Sequence, residues 1–212
     1  MKPTVRHVKY DPRHSALLVI DLQNDFVSPA GGLARLGVDL APLREMLRRA
    51  VRLVADARQE GVKIIYVRHV NSDDASSPPI LEKRGEQGRD RVPVVWKGSW
   101  GAALAPELDA RAEDIVLEKT RFDGFLNTDL DCRLRALGIQ TVVLSGMSTN
   151  VCVDSTARAA FMRDYFVLIP EDCVAASIRH LHASALETLA RYFATVTRAD
   201  ALVSEWRAFR SP

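Results

Sequence analysis

The chain repeats one pattern that leaves few folds open to it: a short, continuous apolar run that stops at a polar residue or a turn signal. Ala16-Leu17-Leu18-Val19-Ile20 stops at Asp21, and comparable runs follow at 62–67, 115–117, 141–144 and 166–169, with a weaker one at 194–197. A run that is apolar at every position, rather than at alternate ones, suits a strand covered on both faces. Between the runs lie helical periodicities. Leu40, Leu43, Leu47, Ala50, Val51 and Val54 recur at three- and four-residue steps, as do Leu126, Leu130, Leu134 and Leu137. Each of these helices meets a glycine, Gly61 or Gly138, before the next strand. The alternation predicts a three-layer α/β/α fold, with a mostly parallel open sheet of about six strands, helices on both faces and right-handed crossovers.

The rhythm breaks once. Residues 71–101 are rich in Asp, Ser, Pro, Gly and Arg and too long for an ordinary connection, so they are expected to line or cover a site. No linker, repeat or low-complexity tract beyond Ser76-Ser77-Pro78-Pro79 divides the chain. Residues 1–14 therefore read as an N-terminal extension and 15–212 as a single domain. The balance of 29 basic against 27 acidic residues leaves a formal charge of +2, no field to recruit nucleic acid or an anionic membrane. Without a signal-peptide core or an apolar run of membrane-spanning length, the expected setting is the cytoplasm and the expected partner a small molecule. Three scattered cysteines, Cys132, Cys152 and Cys173, lack CxxC spacing, which argues against a disulfide framework or structural zinc and fits free thiols in a reducing compartment.

Reactive side chains gather at predicted strand ends. Ser145-Gly146-Met147-Ser148-Thr149-Asn150-Val151-Cys152-Val153 follows a strand and runs into a helix containing Ala157, Ala159 and Ala160. Cys152 near a helix N-terminus would have its thiol pKa lowered by the dipole and by unpaired N–H groups, which could also hold an oxyanion. The plain alternative is a small apolar residue packed on the sheet. Asp21 ends the first strand and Lys119 follows the strand Ile115-Val116-Leu117; read singly, one is a turn cap and the other a solvated charge. Together they present a carboxylate, an ammonium and a thiol at the sheet edge where open parallel sheets bind ligands.

Three blocks make a resemblance specific. Leu18-Val19-Ile20-Asp21-Leu22-Gln23-Asn24-Asp25-Phe26, Glu118-Lys119-Thr120-Arg121-Phe122-Asp123-Gly124-Phe125 and Gly146-Met147-Ser148-Thr149-Asn150-Val151-Cys152-Val153 resemble, in order, the motifs of the isochorismatase-like cysteine hydrolases. The resemblance runs from about residue 15 nearly to the end. It implies that Cys152 is the nucleophile, Asp21 its proton acceptor and later donor, and Lys119 the cation stabilising both. It also implies a cis peptide between Met147 and Ser148 that turns the Ser148 N–H toward the oxyanion beside that of Cys152, and no cofactor or metal. Isochorismatases acting on a vinyl ether generally lack the cysteine, so its presence favours an amide, ureido or carbamoyl C–N bond. Nicotinamidases carry a metal-binding Asp-x-His pair after the second strand, where this chain reads Val67-Arg68-His69-Val70-Asn71-Ser72-Asp73-Asp74. The feel is closest to ureidoacrylate amidohydrolases, through Trp96-Lys97-Gly98-Ser99-Trp100-Gly101 and Asn127-Thr128-Asp129-Leu130-Asp131.

Gln23, Phe26, His69, Trp100 and Asn150 are the candidates for substrate contact. Phe26 and Trp100 read equally as packing residues, and His69 as a structural hydrogen-bonding residue. Arg68, Arg89, Arg91 and Arg121 are possible partners for a substrate carboxylate. Cys132 reads as helix packing, and Cys173 as a residue at the crevice rim. His180 and His182, two apart on a helix, share no face. A homo-oligomer, dimer or tetramer, is expected from the resemblance, and Ala185, Leu186 and Leu189 offer either an interface or a sheet-packing face. The competing functional classes are a non-catalytic binding domain on the same fold, a metal-dependent amidase, and isochorismatase- or nicotinamidase-type activity.

Overall fold

The computed structural model describes residues 8–86 and 91–209; Arg89 lies outside them. In chain order the elements are β1 (Ser15–Ile20), the short helices α1 (Asn24–Val27) and α2 (Gly32–Arg35), α3 (Ala41–Gln59), β2 (Lys63–His69), α4 (Pro78–Glu86), β3 (Ile115–Lys119), α5 (Leu130–Ala136), β4 (Thr141–Met147), α6 (Asp154–Phe161), β5 (Phe166–Pro170), β6 (Val174–Ala175), α7 (Arg179–Tyr192), β7 (Thr195–Thr197) and α8 (Ala199–Ala208). The strands form one sheet in the order β3-β2-β1-β4-β5-β7, with β6 against the end of β4. Every pairing is parallel.

The sheet lies in the middle because its strands are apolar on both faces. Along β1 every residue is buried, and alternate side chains enter different cores. Leu17 and Val19 pack with Leu43, Leu47, Ala50 and Val54 of α3 and with Leu202 and Trp206 of α8. Ala16, Leu18 and Ile20 pack on the opposite face with Leu134 of α5, Ala157 and Ala160 of α6, and Leu189 of α7. Leu189 is fully buried and the partly buried Leu186 packs beside it, so these two leucines of α7 cover the sheet.

Three sequence expectations need correction. The fifth helix is shorter than its leucine spacing suggested: Leu126 and Leu137 fall outside α5 and are exposed. A two-residue strand, β6, adds to the expected strands, a segment too short to carry a periodicity in the sequence. The long irregular stretch contains α4, whose two leading prolines, Pro78 and Pro79, sit in the first turn, where N–H groups have no intrahelical acceptor to lose.

The chain lays down β1, β2 and β3 outward in one direction and then returns to place β4 on the other side of β1. That reversal opens a crevice at the carboxyl ends of β1 and β4. Gly146 stands opposite Ile20 there. Its φ is 120°, and a Cβ would lie 2.0 Å from the Ile20 carbonyl oxygen. Gly146→Ala is therefore expected to destabilise the fold by at least about 3 kcal/mol, read as a lower urea midpoint; an unchanged midpoint would show that β1 and β4 can part at this point without cost.

Candidate active site

Asp21 follows β1 in a left-handed conformation, φ 57°, which Asp tolerates better than most residues, and its N–H donates to the Val67 carbonyl at 2.9 Å. Lys119 ends β3, two strands from β1, with His69 opposite it in the register. Strands lie about 4.8 Å apart, so the lysine stem must cross the end of β2 to reach Asp21. It does so: Nζ donates to Asp21 Oδ2 at 2.8 Å and to Cys152 Sγ at 3.4 Å. Relative exposure is 1% at Lys119, 2% at Asp21 and 8% at Cys152, so of the three the cysteine is the most open to an incoming molecule. The other oxygen of Asp21, Oδ1, is buried with no hydrogen-bond partner among the described residues.

Charges here depend on one another. Burial opposes the Lys119 ammonium, but Asp21 and Cys152 outweigh it and hold its pKa above the ordinary value. Burial, and after it the Asp21 carboxylate, push the Cys152 thiol up, and Lys119 only partly offsets them. This reverses the expectation of a thiol pKa lowered by a helix N-terminus. Cys152 sits in a five-residue π-helical turn, Thr149–Val153, ahead of α6, where it is buried beside the Asp21 carboxylate. The Met147–Ser148 bond leading into this turn is cis. The Ser148 carbonyl accepts the N–H groups of Val151 at 3.0 Å and Val153 at 3.2 Å, and Thr149 Oγ1 lies 2.8 Å from His182 Nδ1 on α7. That last tie was not anticipated from the histidine spacing.

Comparison with known proteins identifies the family. The isochorismatase domain model matches residues 15–201. The chain belongs to the isochorismatase family. It is 35% identical over 209 residues to ureidoacrylate amidohydrolase RutB of Methylobacterium radiotolerans, covering 93% of this chain and 81% of that protein. The structure of N-carbamoylsarcosine amidase from Thermoplasma acidophilum superposes with a TM-score of 0.71 at 33% identity, covering 88% of this chain and 96% of that one. A cysteine hydrolase from Pseudomonas syringae pv. phaseolicola shares the fold, with a TM-score of 0.83 at 24% identity over 98% and 99% of the two chains.

Within this isochorismatase-family crevice the remaining sequence candidates divide. Gln23 is occupied by the main chain rather than turned toward a substrate. It is fully buried, its Nε2 donates to the carbonyls of His69 and Ala102, both at 2.8 Å, and its Oε1 accepts the His69 N–H at 2.8 Å. Its neighbours act similarly. Asn24 Nδ2 donates to the Trp100 carbonyl, and Asp25 accepts the N–H groups of Gly32 at 2.8 Å and Val95 at 2.6 Å. Gly101 presses on the Asp25 carboxylate so closely that a Cβ there would lie 1.9 Å from it. Gln23, Asn24 and Asp25 thus strap the returning arm of the 71–101 loop to the end of β1, a role the sequence did not disclose for Asp25.

Phe26 is half-buried and packs against Val94, Val95 and Ala102, which supports its packing reading. Trp100 is 57% exposed. Asn150 is half-buried in the cysteine turn. His69 lies 3.5 Å from Lys119 through Nδ1 and is stacked by Phe122. Arg68 pairs with Glu118 through one terminal nitrogen while its buried Nε has no partner among the described residues, and Arg121 donates to the carbonyls of Ala75 and Thr120. Cys132 is exposed, and Cys173 is wholly buried in the α3 core rather than at a rim. Among the described residues no cluster of three His, Cys, Asp or Glu side chains is placed to hold a metal, and no helix is long and apolar enough to cross a membrane.

Proposed function

We propose that this isochorismatase-family hydrolase cleaves the C–N bond of a small amide, ureido or carbamoyl substrate, with Cys152 as nucleophile. The observation that carries the reading is the buried lysine, whose ammonium touches a carboxylate and a thiol at once. The names of the relatives, a ureidoacrylate amidohydrolase and an N-carbamoylsarcosine amidase, support the class of bond.

The resting nucleophile is a neutral thiol, because its pKa is raised, so a proton must leave as the substrate is attacked. Asp21 takes that proton, Oδ1 being the carboxylate oxygen without a partner, and the sulfur adds to the carbonyl carbon. N–H groups of Ser148 and Cys152 hold the oxyanion, and Lys119 steadies the negative charge as it moves between Asp21 and the sulfur. Asp21 then protonates the departing nitrogen, the C–N bond breaks and an acyl or carbamoyl thioester remains. Water, giving a proton to Asp21, attacks the thioester, and collapse returns the acid product and the thiol.

The test is ammonia release across ureidoacrylate, biuret, N-carbamoyl amino acids, maleamate and nicotinamide, combined with intact-mass detection of the quenched protein. Release from at least one ureido or amide compound, with an acyl mass increment mapped to Cys152, is expected. Release without any adduct, even on rapid quenching, would point to direct attack by water and end the covalent reading.

A further inference from the structure

We propose that His69 is a positioning residue for Lys119, its Nδ1 accepting the third ammonium N–H and so fixing how the charge is shared between Asp21 and Cys152. The inference rests on the catalytic reading of that site. An ammonium has three donors and no acceptor, and Lys119 Nζ has three partners: Asp21 Oδ2 at 2.8 Å, Cys152 Sγ at 3.4 Å and His69 Nδ1 at 3.5 Å. The third partner leaves no ammonium N–H of Lys119 without an acceptor and restrains where Nζ sits between Asp21 and Cys152. His69 is the residue on the intervening strand β2 directly opposite Lys119, so it stands where the stem crosses.

Nδ1 accepts only if the ring proton is on Nε2, and the structure sets that tautomer. Asn71 Nδ2 donates to the Val94 carbonyl at 2.8 Å, which leaves Asn71 Oδ1, an acceptor only, 3.1 Å from His69 Nε2. Nε2 therefore carries the hydrogen and Nδ1 the lone pair. The ring is neutral: burial and the Lys119 ammonium hold its pKa down to about 4, against the Asp21 carboxylate, Asn71 and the Arg121 main chain, which act the other way. Phe122 stacks on the ring at 6.4 Å between centroids and 29° between planes. Gln23 clamps the His69 main chain on both its N–H and its carbonyl. Backbone, tautomer and ring face are all set, more than a residue that only fills space requires. Asn71 also bonds Val95 and Lys97 through its main chain, so the loop arm that returns to the crevice fixes the imidazole, and the imidazole fixes the lysine.

The test compares wild type with His69→Leu and His69→Asn. Leucine fills the space without an acceptor, whereas the carboxamide of asparagine places its oxygen near the position of Nδ1. Iodoacetamide alkylation of Cys152, followed peptide by peptide across pH, reports thiolate stabilisation without any substrate. His69→Leu is expected to slow alkylation at pH 8 by about 10- to 100-fold, the effect of losing a hydrogen bond to a charged group, and to move the profile to higher pH. On an active substrate it lowers kcat by a similar factor with KM little changed, and His69→Asn recovers most of both losses. A wild-type alkylation profile for His69→Leu, equal impairment of a folded His69→Asn, or a loss confined to KM would overturn the proposal. Should His69→Leu fail to fold, His69→Gln, whose amide sits near Nε2 instead, takes its place with the same expected loss. Silence across the substrate panel together with the expected alkylation shifts would refute the amide reading while supporting the role of His69.

Discussion

Cys152→Ala is expected to reduce turnover of any substrate the wild type hydrolyses by at least about 10⁴-fold while the protein melts within a few degrees of wild type. No other thiol can substitute, since Cys132 lies exposed and Cys173 is sealed in the core beneath α3. Neither neighbour can take over as nucleophile. Lys119 is held charged, with a pKa above its ordinary value, and a carboxylate attack by Asp21 would leave no group to move the proton. The fold survives because the substitution removes one small sulfur and leaves the Asp21–Lys119 pair intact, a loss of about 1 kcal/mol in buried surface and cavity. Residual turnover above about 1% of wild type, in protein free of revertant, would mean that water attacks directly and that the cysteine only shapes the site. Circular dichroism on the same sample separates lost chemistry from lost structure.

The sheet, the α3 and α6 helices and the three reactive strand ends were legible in the sequence because each is written locally: continuous apolar runs, three-and-four spacing, a polar residue at the point where a run stops. What was not legible depends on partners far along the chain. Gln23 reads as a free polar side chain beside Asp21, and only the fold reveals that its carbonyl partners lie 46 and 79 residues away. Asp25 has the same history, its partner N–H belonging to Val95, 70 residues distant. The helix end near Cys152 is a local signal, whereas the carboxylate that raises its thiol pKa follows β1 and the burial comes from the whole crevice. His69 was visible as a histidine at a strand end; that it faces the lysine follows from the β2–β3 register, which no single segment encodes. A two-residue strand such as β6 has no pattern of its own and exists because β4 offers it an edge.

Asp21→Asn and Lys119→Met are expected to abolish turnover alike, each by about 10²- to 10⁴-fold or more, yet to move the Cys152 thiol in opposite directions. The Asp21 carboxylate helps push that thiol up and the Lys119 ammonium pulls it down. Removing the carboxylate should therefore make Cys152 alkylate faster than in wild type at neutral pH, in an enzyme that no longer turns over. Removing the ammonium should slow alkylation further. Stability separates the two again. Asp21 is 2% exposed and Lys119 1%, and Lys119→Met leaves a buried carboxylate with no counter-charge, a loss of about 3–5 kcal/mol. Asp21→Asn instead strands the ammonium, whose remaining partners are a sulfur and the neutral His69 ring. Replacing both residues removes the uncompensated charge, so the double variant should regain most of the stability that Lys119→Met loses, since a buried pair exchanged for neutral groups of similar size is close to neutral in free energy. Urea denaturation of the three variants and peptide-resolved alkylation at Cys152 read both predictions on the same samples. Alkylation shifts of the same sign in the two single variants would mean that Cys152 does not sense the pair electrostatically, and the proton path from sulfur to Asp21 would have to be abandoned.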